Sequence, residues 1–187
     1  MRLLTFQLAS RAAQLRSGER YRVSWEYVAP AWAGAYQWLA GQWQQRCGSA
    51  MVTAPIWCWQ RLASDSNAID CAALLFSQYE KEQGILMLEL EVPSALVLLS
   101  SYRFWNEFLG ETIDSGAVST EDGRWRRMFS RKALKKRTDN VQAIIPYIEP
   151  EWIVSMRPVV FFDDIPSQEQ HVMYVGRGVK QQIFPHE

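Results

Sequence analysis

Ala54-Pro55-Ile56-Trp57-Cys58-Trp59-Gln60-Arg61 is the stretch on which the reading of this chain turns. Extended backbone sends successive side chains to opposite sides. Trp57 and Trp59 then share one face, and Ile56 and Cys58 share the other. Two indoles side by side on a strand make a broad, flat apolar wall with two N–H donors. Such a wall either closes a core or floors a pocket for something flat, such as a nucleobase or nicotinamide.

The chain around this strand has 187 residues, which suits one domain with room for a substantial core. Hydrophobic residues make up 48% and charged residues 21%, a balance that folds. The formal net charge is zero, which argues against indiscriminate binding to nucleic acid or membrane through bulk charge. Nine tryptophans point to an interior dominated by aromatic packing. Cys47, Cys58 and Cys71 are odd in number and lack C-x-x-C spacing, so neither a disulfide framework nor a zinc site is expected. Met1 to Gln7 is too short and too soon polar for a signal peptide, and no apolar run reaches membrane-spanning length. The expectation is a cytoplasmic protein with no membrane partner.

Outward from the tryptophan strand, Arg2–Leu8 reads as a first strand. Ser10 stands as the cap of a helix that stops at Gly18. Tyr21–Tyr27 is aromatic and β-branched and reads as extended. Pro30 opens a second helix that Gly48 ends, with Trp32, Tyr36, Leu39 and Trp43 at helical spacing as a core stripe. Ser64–Asn67 is a turn, and Ala68–Gln83 reads as a helix. Ile85–Val92 and Ala95–Ser100 read as strands on either side of Pro93, and Tyr102–Leu109 as a helix. Gly110–Gly123 is a turn-rich loop. Val141–Ile145 is a further strand, Pro158–Phe162 a last apolar run, and Val172–Val175 a short strand in a polar tail. The sum is a single α+β domain over residues 1–165, a mixed or antiparallel sheet with flanking helices, and a tail over 166–187.

Between the loop and the Val141 strand lie Arg124, Arg126, Arg127, Arg131, Lys132, Lys135, Lys136 and Arg137, with no acid among them. Trp125, Met128, Phe129 and Leu134 interleave. As a helix this has an apolar stripe against the body and a basic outer face, either plainly solvated or suited to phosphate.

Catalytic signatures are few. The only histidines, His171 and His186, lie in the polar tail, so a His-based metal site or a Ser-His-Asp arrangement is not expected. Cys58 between two indoles reads as an inert buried thiol. There is no P-loop and no G-x-G-x-x-G; Gly176-Arg177-Gly178 is too short. Glu89 and Glu91 share a strand face, as a carboxylate pair or simply as its wet side. What remains is aromatic residues, glutamines and arginines, a kit that stacks a ring and pairs with phosphate.

Leu3–Gln7, Pro55–Trp59, Leu88–Val92, Val97–Ser100 with Phe104-Trp105, and the helix around Ala35–Trp38 resemble a family of uncharacterised bacterial proteins known only as a domain of unknown function. That resemblance covers roughly residues 1–110 and implies no activity. A second likeness is to the segment order of ADP-ribosyltransferases, especially the DNA-targeting toxin branch. It rests on Phe6-Gln7, the helix ending at Gly18, Trp57-Cys58-Trp59, and Gln142-Ala143-Ile144 before Pro146. It leaves the cofactor unknown with NAD as the candidate, and implies Gln142 as the catalytic candidate, with Gln7 where that family has Arg or His. Ile144 stands where that family has its catalytic Glu, which implies either an inactive relative or a divergent enzyme positioned by Gln142.

The functional expectation is a nucleotide-like or nucleic-acid ligand held in an aromatic cleft. Trp57 and Trp59 wall it, Gln7 and Gln142 orient the ligand, and Arg124, Arg126, Arg127 and Arg131 draw in phosphate. The alternative is a non-enzymatic module of phage or mobile-element origin that binds a protein partner.

Overall fold

The computed structural model describes residues 1–48, 50–63, 67–116, 123–136, 138–159 and 161. Six strands form one sheet: β1 (Arg2–Leu8), β2 (Ile56–Arg61), β3 (Ile85–Glu91), β4 (Leu98–Ser101), β5 (Val141–Ile145) and β6 (Ile153–Pro158). Their order is β4-β5-β2-β1-β3-β6, and every neighbouring pair is antiparallel. The fold is α+β, as composition and segment order led us to expect.

Strand alternation divides the core into two kinds of packing. One face carries Leu3, Ile56, Cys58, Leu88 and Ile145, all buried. It is covered by α1 (Ala9–Arg16) through Ala12 and Leu15, and by Tyr21 and Ile148. These side chains are mostly aliphatic, and a small helix suffices to seal them. The opposite face carries Phe6, Trp57, Trp59 and Ile144. It needs a thicker cover, which α2 (Pro30–Cys47) and α5 (Tyr102–Ser115) supply with Leu39, Trp43, Trp105 and Phe108. The short helix α3 (Ala68–Ala73) covers its Phe6 and Trp59 end with Cys71 and Ala72.

Local chemistry sets the helix limits. Pro30 occupies the first turn of α2, where its missing N–H costs nothing, and Gly48 ends it at φ +83°. Ser101 caps α5 by accepting from the Phe104 N–H. The Ser101 hydroxyl also donates to buried Asp139, tying this cap to the approach of β5.

Several segments depart from the sequence expectation. Ala68–Gln83 is two helices, α3 and α4 (Gln78–Glu82), because Ser77 and Glu80 form a capping box that starts a new helix. The α1 helix starts at Ala9 with no side-chain cap, so Ser10 does not have that role. Tyr21–Tyr27 contributes only the bridges Tyr21 to Ile148 and Val23 to Ala54, then a 3-10 turn at Trp25–Tyr27. Ala95 and Leu96 belong to a 3-10 turn ahead of β4. α5 continues through Gly110, which is buried, to Ser115. The basic segment is a 3-10 stretch, Gly123–Phe129, followed by α6 (Arg131–Lys135), broken where Ser130 caps α6. β6 (Ile153–Pro158) ends where the last apolar run begins, and Val160 and Phe162 of that run lie outside the described residues. Ser64–Ser66, Arg137, both histidines, the Gly176-Arg177-Gly178 run, the Val172–Val175 strand and the 166–187 tail lie outside the described residues.

Candidate functional site

The sheet parts along one seam. β1 and β2 share a single paired position, Leu4 with Trp59. Beyond it the Thr5 hydroxyl donates to the Trp57 carbonyl at 2.7 Å, so a side chain stands in for ladder bonding. Thr5, Phe6 and Gln7 on one side, and Pro55 through Trp59 on the other, line a cavity of about 320 Å³. Consecutive residues of both strands contribute, so the cavity follows the seam itself. Its volume lies at the small end of the range for ligand pockets, about 300–1,000 Å³.

The walls are aromatic. Trp57 meets Trp105 at 4.8 Å between ring centroids and Tyr36 edge-on at 5.9 Å. Trp59 meets Tyr102 edge-on at 5.1 Å. The Trp57 indole N–H donates to the Tyr36 hydroxyl at 3.1 Å, which fixes both rings. Loss of water around the Tyr36 hydroxyl pushes its pKa up to about 12, ahead of the opposing effect of that indole, so it stays a neutral donor. At the rim Trp32, stacked on Tyr36, is 37% exposed, Tyr27 is 59% exposed and Leu75 is 54% exposed.

Polar groups are sparse, and two stand out. Gln142, on β5 opposite Trp59, is 6% exposed, and its Oε1 is buried with no hydrogen-bond partner among the described residues. A buried acceptor left unsatisfied costs about 1–3 kcal/mol. It lines the cavity, as does Asn106. Arg11, half-buried on α1, also lines it and lies 4.2 Å over the Tyr27 ring. Ion pairs among the described residues join Arg20 to Glu149, Arg103 to Glu107, Arg124 to Glu111 and Arg157 to Glu89. Arg11 belongs to none of them. No Asp or Glu is among the described residues lining the cavity.

Four of the side chains singled out in the sequence, Gln7, Trp57, Trp59 and Gln142, thus line one cavity. Gln7 is already engaged, however: its Nε2 donates to Thr5 Oγ1 at 3.0 Å, and its Oε1 accepts from the Tyr21 hydroxyl at 3.0 Å. Arg124, Arg126, Arg127 and Arg131 do not line the cavity. Arg124 pairs with Glu111 at 2.6 Å, and the other three are exposed on the 3-10 stretch and α6. Glu89 pairs with Arg157 at 3.4 Å and Glu91 is exposed, so the two are surface charges. Ile144 is wholly buried beside Trp57. Cys58 is buried behind the wall, and loss of water pushes its thiol up to about 12, which leaves it protonated and inert.

Sequence reasoning missed Arg11, Asn106, Tyr102 and Trp105 as lining residues. It assigned Trp32 and Tyr36 to the core from their helical spacing. Leu39 and Trp43 of that stripe are core, but its first turns line the cavity. Only knowledge of where β1 and β2 part would have separated the two halves.

The family model for "Domain of unknown function (DUF3841)" matches residues 2–113, and the chain belongs to that family. The match takes in β1 through most of α5 and so most of the cavity walls, but not Gln142. No curated protein and no solved structure matches the chain. Among the described residues no helix is long and apolar enough to cross a membrane.

Proposed function

We propose that the seam cavity binds a small flat heteroaromatic ligand carrying an anionic group, a nucleotide-like molecule. The observation that carries this is the Gln142 Oε1, orphaned among the described residues, in an aromatic cavity whose described lining holds no carboxylate. A ring edge bearing an N–H or NH2 group satisfies that acceptor, while Trp57, Trp59 and Trp105 supply ring faces. Arg11, free of carboxylate partners among the described residues, suits the anionic end. The Tyr36 hydroxyl adds a neutral donor.

The reading is one of binding. Transfer chemistry of the ADP-ribosyltransferase kind wants a carboxylate near the reacting ribose, and Ile144, where the sequence resemblance puts it, is an apolar, wholly buried residue. NAD, ADP-ribose and nicotinamide remain the natural probes, because each offers a flat ring with an amide or amine edge.

The test is a thermal-shift series on the full chain with NAD, ADP-ribose, AMP and nicotinamide, repeated on the Trp57→Ala, Trp59→Ala double variant. A ligand that binds only the folded state raises the melting temperature as its concentration passes Kd. A shift in the wild type that the folded double variant lacks supports the cavity. Equal shifts in both proteins sink it, and no shift with any probe turns the weight to the protein-partner alternative.

A further inference from the structure

The basic face has no part in the cavity, yet its charges are segregated in a chain of zero net charge. Arg126 and Arg127 on the 3-10 stretch, Arg131, Lys132 and Lys135 on α6, and Arg46 near the end of α2 are all exposed. None of them joins a carboxylate in an ion pair among the described residues. Arg124, on the same 3-10 stretch, pairs with Glu111 and so is not counted among them. The clustering is close enough that Arg126 helps depress the Arg46 guanidinium, after the larger effect of lost water.

The segment is also held firmly. Trp125 and Met128 are buried in the aromatic core, and Phe129 lies stacked on Trp38, with the Arg46 guanidinium 4.4 Å from its ring centroid. Arg61 donates to the Leu134 and Lys136 carbonyls at 2.8 and 2.9 Å, fixing the end of α6 from beneath. The cations therefore stand on a rigid shelf. Tyr36, on the cavity wall, and Arg46 are ten residues apart on α2. At the helical rise that is about 15 Å, so shelf and cavity are separate places.

We propose that this shelf is a nucleic-acid surface that grips the phosphodiester backbone without reading sequence. A phosphate backbone asks for fixed positive charge and planar guanidinium forks, and four of the six cations are arginines. A protein partner asks in addition for apolar anchors at the centre of the contact. Here Trp125 and Met128 are buried, and half-buried Phe129 is engaged by both Trp38 and Arg46, so the described residues of the shelf offer none. With no net charge on the chain, binding must be local to these residues. The proposal stands on charge placement alone and is independent of the cavity's ligand.

The test is fluorescence anisotropy of the full chain with labelled single-stranded and duplex oligonucleotides of unrelated sequences, between about 50 and 200 mM salt. The wild type is expected to bind all of them with similar affinity, falling steeply with salt. The Arg126→Glu, Arg127→Glu variant should lose about tenfold or more, and its salt slope should drop by about 0.7–0.9 for each phosphate contact removed. Both side chains are exposed, so circular dichroism should not change. If that variant is misfolded, Lys132→Glu with Lys135→Glu asks the same question from α6. Absence of wild-type binding at the lowest salt overturns the proposal, as does equal binding by a folded charge-reversed variant. Tighter binding to a poly-glutamate peptide than to any oligonucleotide overturns it in favour of an acidic protein partner.

Discussion

The two faces of the sheet come from the same strands but are finished differently, and two glutamines show how. On the aliphatic face Gln7 has both ends of its amide engaged, accepting from Tyr21 and donating to Thr5, which in turn donates to the Trp57 carbonyl. This chain of bonds closes the place where β1 and β2 stop pairing. On the aromatic face Gln142 is more deeply buried, yet its carbonyl oxygen meets no donor among the described residues. The protein satisfies one amide with its own groups and leaves the other open beside a cavity. A polar group closed within the fold serves stability. One held open at a cost is available to something that is not part of the chain.

If the aliphatic face is the structural half, its residues away from the seam should carry the largest stability effects and no ligand effect. Leu88 is fully buried against that face, so Leu88→Ala should cost about 3 kcal/mol through lost contacts and a cavity. Urea denaturation measures it. The same truncation at the rim, Trp32→Ala, should cost less than about 1 kcal/mol, since that indole is 37% exposed. Equal costs at the two positions would erase the distinction between the faces.

Alkaline pH probes both faces at once. Burial raises the Cys58 thiol from 9.0 to about 12 and the Tyr36 hydroxyl from 10.0 to about 12. Below these ordinary values both groups are protonated in either state and contribute nothing to pH dependence. As pH rises further the unfolded chain releases protons that the folded chain keeps, so stability falls through the window from about 9 to 12. By about pH 10.5 the thiol alone should cost on the order of 2 kcal/mol. Cys58→Ala should flatten that fall, and an unchanged slope would mean that water reaches the thiol. At neutral pH half-buried Cys47 should react with a thiol reagent well before Cys58 or Cys71.

The division between the faces was legible in part. Alternation in Ile56-Trp57-Cys58-Trp59 placed the indoles together and the small side chains opposite, and hydrophobic runs located β1 to β5 to within a few residues, while β6 lies ahead of the last apolar run. Proline and glycine marked the ends of α2 because they act locally. What the sequence withheld was non-local. Nothing in Leu3–Gln7 says that β1 pairs with β2 at only one position, so the cavity could be suspected but not bounded. Arg11 looked like any surface charge on a short helix, and its role depends on Tyr27 folding over to meet it. The basic segment was visible as charge, but its exclusion from the cavity follows from burial of Trp125 and Met128 in the core behind α5. The Ser77 and Glu80 box shows the opposite failure, a local signal passed over in favour of a weak long helix.

The smallest expected change in stability is the most informative. Gln7→Leu and Gln142→Leu remove the same group from opposite faces of the sheet, and the contrast that matters is whether the amide oxygen has a partner. Gln7→Leu strips a donor from Thr5 and an acceptor from Tyr21, and should cost about 1–3 kcal/mol. Gln142→Leu removes an acceptor that bonds to nothing, so the ligand-free protein should be unchanged or more stable by up to about 1 kcal/mol. Any nucleotide-induced shift should fall in the Gln142 variant, because the ring edge then meets a methyl group where it had an acceptor. Calorimetric unfolding of both variants, with and without the ligand found in the thermal series, gives all four values. If Gln142→Leu were as damaging as Gln7→Leu, its oxygen would have an internal role, and the argument for an open acceptor would end there.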